Sequence, residues 1–181
     1  MKGIVFTEFL EMVEDRFGFD IADNIISQSD LPSGGIYTAV GTYDHQEMVR
    51  LVVNLSAMSG IAVPDLLKAY GEHLFSRFVK GYHHFFANAT STLDFLALIE
   101  NYIHVEVRKL YPDAELPTFE TVRPAENRLE MTYHSSRGLG DFAEGLLNGC
   151  IKHFQENISL HREDINPDRT IVKFTLIRIP D

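Results

Sequence analysis

The stretch Ser91–Tyr111, which reads STLDFLALIENYIHVEVRKLY, decides the fold because it predicts one long helix in the middle of the chain. Ser91 followed three residues later by Asp94 is typical of a helix start, and Pro112 marks the end. Apolar residues recur between them at helical spacing and predict a face that packs into the core: Leu96, Ile99, Ile103, Val107 and Leu110. His104 lies beside this face.

An imidazole beside an apolar face has two interpretations. It is either a core histidine hydrogen-bonded to a carbonyl, or a side chain that holds a ligand. Histidine is of intermediate burial and most buried histidines are merely hydrogen-bonded, so the helix alone favours the first interpretation.

The chain before Ser91 predicts helices joined by short connections. Apolar spacing and capping residues indicate four of them: one over residues 4–17, a short one capped by Asp20, one that follows a Thr42/Asp44 cap and ends near Gly60, and one opened by Pro64. A loop at 31–35 and a brief extended piece at 36–40 separate the second and third helices. Residues 81–90 form an aromatic-rich connection to the central helix.

After Pro112 the pattern changes to strands. Residues 117–123 and 128–137 predict two strands, a helix follows over 141–155, and residues 158–161 and 171–179 predict an antiparallel pair. The fold class is therefore α+β in a single domain. A helical N-terminal lobe covers about 1–65, and a C-terminal lobe of about 66–181 combines a small antiparallel sheet of about four strands with helices.

The second predicted strand places polar groups at the end of an apolar face. By the period of two, Tyr133, Ser135 and Arg137 follow Leu129 and Met131 on the same side. Two hydroxyls and a guanidinium suit a ligand with an apolar body and an acidic edge. Taken alone, the trio is more simply a strand that becomes polar as it leaves the core.

Composition excludes several classes of function. The formal net charge of −10 would repel nucleic acid, and no basic stripe overrides it. The single cysteine, Cys150, permits neither an internal disulfide nor a Cys-based zinc site, which favours a reducing compartment and a cytoplasmic location. No apolar run approaches the roughly 20 residues of a membrane span, and acids at the N-terminus argue against a signal peptide.

The polar trio and His104 together point to haem, a flat hydrophobe with two carboxylates and an iron that accepts an imidazole. The MKG start, the helix histidine before a Pro-containing linker and the YHSSR match to Y-x-S-x-R resemble the haem-nitric oxide/oxygen-binding (H-NOX) family. This is the bacterial relative of the haem domain of soluble guanylate cyclase, and the resemblance runs over nearly the whole chain.

The resemblance implies a haem b between the two lobes. It assigns His104 as the proximal iron ligand, Tyr133, Ser135 and Arg137 as the propionate clamp, and Pro117 as the residue that presses on the porphyrin. The distal wall would be drawn from five apolar residues: Val5, Phe9, Phe78, Phe142 and Leu146.

The resemblance also implies a sensor of NO, which would bind CO as well. Family members that hold O2 carry a distal tyrosine, and the corresponding residue here is Phe142, which has no hydrogen-bond donor. NO capture would break the bond between iron and His104, and the resulting shift would signal to a separate histidine kinase or cyclic-di-GMP enzyme. The chain itself is not expected to be an enzyme.

Two other functions remain as alternatives. The segment 138–143, GLGDFA, matches the nucleotide-binding pattern G-x-G-x-x-A, with Glu163 near the expected acidic position. Asp141 would repel a pyrophosphate there, so we expect it to cap a helix instead. The second alternative is a haem-free adaptor whose apolar cleft receives a partner helix.

Overall fold

The computed structural model describes residues 1–87 and 89–180; positions 88 and 181 lie outside the described residues. Helices dominate the first half of the chain. They are α1 (Gly3–Phe17), α2 (Phe19–Gln28), α3 (His45–Ser59), α4 (Val63–Gly81), α5 (Thr92–Ala97) and α6 (His104–Leu110), with a 3-10 turn at His83–Phe86 and a π turn at Ile99–Ile103. The second half contains β1 (Thr118–Ala125), β2 (Arg128–His134), α7 (Gly140–Phe154), β3 (Ile158–Asp164) and β4 (Ile171–Arg178).

The four strands form one antiparallel sheet in the order β1-β2-β4-β3. Tyr133 of β2 is paired with Phe119 on one side and with Val172 on the other. Burial alternates along β2 as predicted, with Leu129, Met131 and Tyr133 buried. The predicted α+β class with a small antiparallel sheet is confirmed.

One helix cap predicted in the helical half is wrong. Asp20 does not cap α2, because Gly18 at φ 90° turns the chain so sharply that α2 begins at Phe19. The predicted extended piece at 36–40 has neither helix nor strand over residues 36–38 and ends in a turn at residues 39–40. The Asp44 cap, by contrast, is present, since its side chain accepts from the backbone of Gln46.

The predicted central helix is interrupted by the π turn just before His104. Ser91 caps its start, with its hydroxyl accepting from the Asp94 backbone. The His104 backbone then bonds to Ile99 rather than to residue 100. One extra residue in the turn rotates the following apolar positions by about 100°. Leu110, predicted to be buried, is consequently 54% exposed.

The buried side chains form two hydrophobic clusters that meet within α4. The first, which we call the N-terminal cluster, draws on α1–α4 up to Leu74. The second, the C-terminal cluster, runs from Phe75 through α5, the sheet and α7. Half-buried Leu146 of α7 packs against both. The lobe boundary near residue 65 stays a prediction.

Glycines allow α4 and α7 to touch along their backbones. A Cβ added to Gly145 would lie 2.2 Å from the Lys68 carbonyl oxygen, and one added to Gly71 would lie 2.4 Å from the Phe142 carbonyl oxygen. Only residues without a side chain fit at such a distance. The crossing therefore sets how Phe142 and Leu146 sit against α4.

In the part of the chain that the structure describes, no single helix is long and apolar enough to cross a membrane, although the bent pair α3 and α4 meets the length and composition requirement jointly.

Replacing Gly145 by Ala tests this crossing. We expect Gly145→Ala to lower the free energy of unfolding by about 1–3 kcal/mol, because backbone atoms must move apart to admit the methyl group. Gly81→Ala is the matched control, since a Cβ there meets nothing within 4 Å. Urea denaturation followed by circular dichroism measures both. Equal stability of the two variants would contradict the close crossing.

Candidate functional site

His104 begins α6 directly after the π turn and is buried. Its Nδ1 lies 3.1 Å from Oε2 of Glu100, and the same oxygen accepts the Phe119 backbone N–H at 3.0 Å. Within residues 1–87 and 89–180 the Nε2 of His104 makes no hydrogen bond. Histidines that bind metals typically donate one ring N–H to a carboxylate and coordinate through the other nitrogen.

The charge states of this pair favour a neutral imidazole. Burial lowers the pKa of His104, and the Glu100 carboxylate only partly opposes this. Burial raises the pKa of Glu100, but hydrogen bonds from the Phe119 backbone and from His104 outweigh it and leave that pKa below its ordinary value. A neutral imidazole that donates from Nδ1 keeps a lone pair on Nε2. The arrangement can therefore coordinate a metal.

The Phe119 ring contacts both the His104 ring and the Tyr133 ring. The ring centroids are 5.9 Å apart for His104 and Phe119, and 5.7 Å apart for Phe119 and Tyr133. Burial raises the pKa of Tyr133, although nearby Ser135, Leu139 and Arg137 oppose the shift. The phenol therefore stays protonated at neutral pH and can donate a hydrogen bond.

Ser135 and Arg137 do not continue the face of β2, so that part of the strand prediction is wrong. The strand ends at His134, and the chain then turns, with Gly138 at φ 61°, before α7 begins. The two residues lie in this turn, where the Ser135 hydroxyl accepts the Arg137 backbone N–H at 3.3 Å. Tyr133, Ser135 and Arg137 are nevertheless near one another in the sequence, because Tyr133 is at the end of β2 and the other two are in the turn that follows.

The Arg137 guanidinium is mostly buried and already binds a carboxylate. Its side chain is 13% exposed, and it donates to the Glu115 carbonyl at 2.8 Å and to the Glu115 carboxylate at 2.6 Å. Both residues border an open cavity of about 450 Å³, whose lining also includes Leu116, Thr118, His134, Ser135 and Ser136. Arg137 can thus donate two hydrogen bonds to an acidic group that enters this solvent-accessible cavity.

The five apolar residues predicted for the distal wall belong to one cluster. Phe9 is buried in the N-terminal cluster, and the other four are half-buried against it: Val5, Phe78, Phe142 and Leu146. They come from α1, α4 and α7. Pro117 is half-buried directly before β1, two residues from Phe119. The five residues predicted for the distal wall therefore share one hydrophobic cluster.

Sequence reasoning missed several residues of this region. Tyr70 is fully buried, stacks on Phe142 at 5.1 Å and donates its hydroxyl to the Val5 carbonyl. Glu100 could have been found, since it lies four residues before His104 on the same helix. Glu115 could not, because no spacing rule links it to a guanidinium 22 residues away.

Asp141 has a different role from the predicted helix cap. The residue at the cap position of α7 is Leu139, which makes no side-chain cap bond. Asp141 is buried and pairs with Arg162 at 2.5 Å and with Arg169 at 3.0 Å. A buried carboxylate at this position and an antiparallel sheet both exclude the parallel nucleotide-binding fold.

Comparison with known proteins identifies the family. The family model described as Haem-NO-binding matches residues 2–162. The chain belongs to this family. Its members are haem-based gas sensors, known as H-NOX proteins. No curated protein sequence gave a significant match.

Solved structures of H-NOX proteins share the whole fold. The Fe(II) unliganded H-NOX protein from K. algicida is 47% identical with a TM-score of 0.95, covering 100% of this chain and 98% of that one. The H-NOX from Shewanella woodyi, solved with IWP-051 in the Fe(II)CO state, is 41% identical with a TM-score of 0.86, covering 99% and 95%. The S. oneidensis H-NOX in the Fe(II)NO state is 24% identical with a TM-score of 0.92, covering 99% and 100%, and shows the fold alone.

The residues of this chain fit a haem. His104 offers a neutral imidazole with Nδ1 bound and Nε2 unpaired among the described residues, which is the donor that haem iron takes. Arg137 holds a carboxylate at 2.6 Å, the chemical group that a propionate would supply. In the described part of the chain no group of three or more His, Cys, Asp or Glu side chains could hold a bare metal ion.

The ion pairs of Asp141 yield a stability prediction. We expect Asp141→Ala to lower the free energy of unfolding by about 3 kcal/mol, because the half-buried Arg162 loses its buried carboxylate partner. Asp23→Ala removes the same charge from an exposed site on α2 and should change stability little. Urea titrations of both variants provide the measurement, and a loss below 1 kcal/mol for Asp141→Ala would refute a stabilising role for this network.

Proposed function

We propose that this protein is a haem b-based sensor of NO. His104 would ligate the iron through Nε2, and Tyr133, Ser135 and Arg137 would bind the propionates. Ferrous haem supplies reversible binding of diatomic gases at its iron. The observation that carries this proposal is the buried His104, whose Nδ1 is hydrogen-bonded to Glu100 while Nε2 has no partner in the described residues.

The three clamp residues offer complementary donors to an acidic edge. Tyr133 keeps its phenol proton because burial raises its pKa, and Ser135 adds a second hydroxyl. Arg137 would exchange the Glu115 carboxylate for a propionate. Because the Glu115 side chain is 84% exposed, water can hydrate the released carboxylate. Pro117, directly before β1, would pack against the porphyrin.

The surroundings of Phe142 favour NO and CO over O2. Bound O2 gains stability from a distal hydrogen bond because negative charge develops on it, whereas NO needs none. Phe142 has no donor, and the hydroxyl of the adjacent Tyr70 is committed to the Val5 carbonyl. The remaining side chains assigned to the distal wall are hydrocarbon: Val5, Phe9, Phe78 and Leu146.

Release of His104 would convert gas capture into movement. His104 is the first residue of α6, and Glu100 links it to the start of β1, so its displacement changes how the helix packs on the sheet. The two lobes would then shift relative to each other, a two-state change biased by the gas. The output would be a separate cytoplasmic histidine kinase or cyclic-di-GMP enzyme, with no catalysis by this chain.

Replacing His104 tests the iron ligand. We expect His104→Gly to lose haem during purification, or to retain it only when imidazole is added, because the imidazole supplies the missing nitrogen donor. His83→Gly removes an exposed histidine from the 3-10 turn and should leave the haem content unchanged. Absorption spectra report the content. Unchanged coordination in His104→Gly would refute the assignment.

Replacing Phe142 by Tyr tests gas selectivity. The added hydroxyl should slow O2 dissociation about tenfold, since one good hydrogen bond is worth about 1.5 kcal/mol. Phe17→Tyr adds the same group at the C-terminal end of α1, in a half-buried position of the N-terminal cluster, and should have no effect. Stopped-flow spectroscopy of the ferrous proteins measures O2 binding. Tight O2 binding by the unmodified protein would contradict the proposal.

A further inference from the structure

The Glu100 carboxylate joins three parts of the molecule at one point. Its Oε2 is 3.1 Å from the His104 Nδ1 and 3.0 Å from the Phe119 backbone nitrogen, and its Oε1 is 3.6 Å from the Arg108 guanidinium. The Glu100 side chain is 25% exposed and that of His104 is 11% exposed. The hydrogen bonds are therefore partly shielded from water, which strengthens them.

The π turn holds Glu100 in this position. Glu100 lies within the turn, and the His104 backbone N–H bonds to the Ile99 carbonyl, five residues back. The Glu100 carboxylate lies beside the His104 ring, and its Oε2 also accepts the Phe119 backbone N–H. The carboxylate is thus fixed by the sheet as well as by its own helix.

We infer that Glu100 is a positioning residue that sets how strongly His104 holds the haem iron. This inference rests on the function proposed above, in which His104 is the ligand. A carboxylate that accepts the Nδ1 proton fixes the tautomer and the ring orientation, and it raises the basicity of the coordinating nitrogen. Glu100 contacts His104, the proposed iron ligand, so it would act on the iron only through His104.

Glu100 then regulates the threshold of the sensor. A stronger bond from His104 to iron opposes release on NO capture, so the carboxylate sets how readily the two-state change occurs. The same oxygen holds Phe119 at the start of β1, two residues after Pro117. Movement of His104 must therefore stretch or break a link between α6 and the sheet.

Variants of Glu100 in the haem-loaded protein test this role. Glu100→Ala should increase the rate of haem loss to apomyoglobin by about 10–100-fold, the usual effect of removing such a partner. Glu100→Gln keeps an acceptor without the charge, and it should lower the iron–histidine stretching frequency in the resonance Raman spectrum of the unliganded ferrous protein. Glu106→Gln is the matched control, because Glu106 lies two residues beyond His104 and pairs with Lys109 at 2.6 Å.

The outcomes separate this inference from the proposed function. A lowered frequency in Glu100→Gln, with the wild-type value in Glu106→Gln, supports it. Equal frequencies in Glu100→Gln and the wild type, or the same decrease in both variants, overturn it. If Glu100→Ala fails to fold, the Glu100→Gln frequency decides alone. Should His104→Gly retain haem with unchanged spectra, the proposed function fails instead.

Discussion

The hydrogen bond between Glu100 and the His104 Nδ1 is the interaction on which the rest of the site depends. The N–H of a buried imidazole needs a hydrogen-bond acceptor, because a buried donor without one lowers the free energy of unfolding. Glu100 accepts that proton, and the Phe119 backbone holds Glu100 in place. The other ring nitrogen is thereby the one available to a metal, so one carboxylate connects the stability of the helix to its chemistry.

The two hydrophobic clusters supply the apolar side chains of the proposed haem site. The C-terminal cluster contributes Phe119 and Tyr133 from the sheet beside His104, and the N-terminal cluster gathers apolar residues of α1, α4 and α7. Gly71 and Gly145 bring α4 and α7 into backbone contact, which fixes Phe142 against Tyr70. In the proposed function, the sheet side would hold the haem and the N-terminal cluster would face the bound gas.

Periodicity and capping residues predicted most of the fold because these signals are local. Alternation along β2, the Asp44 cap and the order of helices and strands all follow from spacing rules. The π turn before His104 was missed, because its sequence is an ordinary helical pattern and a single inserted residue leaves no compositional mark. The exposure of Leu110 follows from that turn and was missed with it.

A short motif keeps the predicted clamp residues together in the sequence, whereas residues that only the fold brings together were not predicted. Tyr133, Ser135 and Arg137 lie close because five residues contain them, although two of them lie in a turn rather than on the strand. Their assignment to a cofactor came from a family resemblance, since the trio alone favoured an ordinary strand end. Glu115 reached Arg137 through tertiary packing, which no pattern in one sequence reports.

Absorption spectra of the purified ferrous protein, taken unliganded, with NO and in air, would show whether His104 holds a haem that binds NO and not O2. A haem-based NO sensor of this kind should show a Soret band, a five-coordinate spectrum with NO as His104 is released, and no stable complex with O2. A colourless protein that takes up no added hemin would contradict the proposed function, as would a protein that holds O2 stably in air.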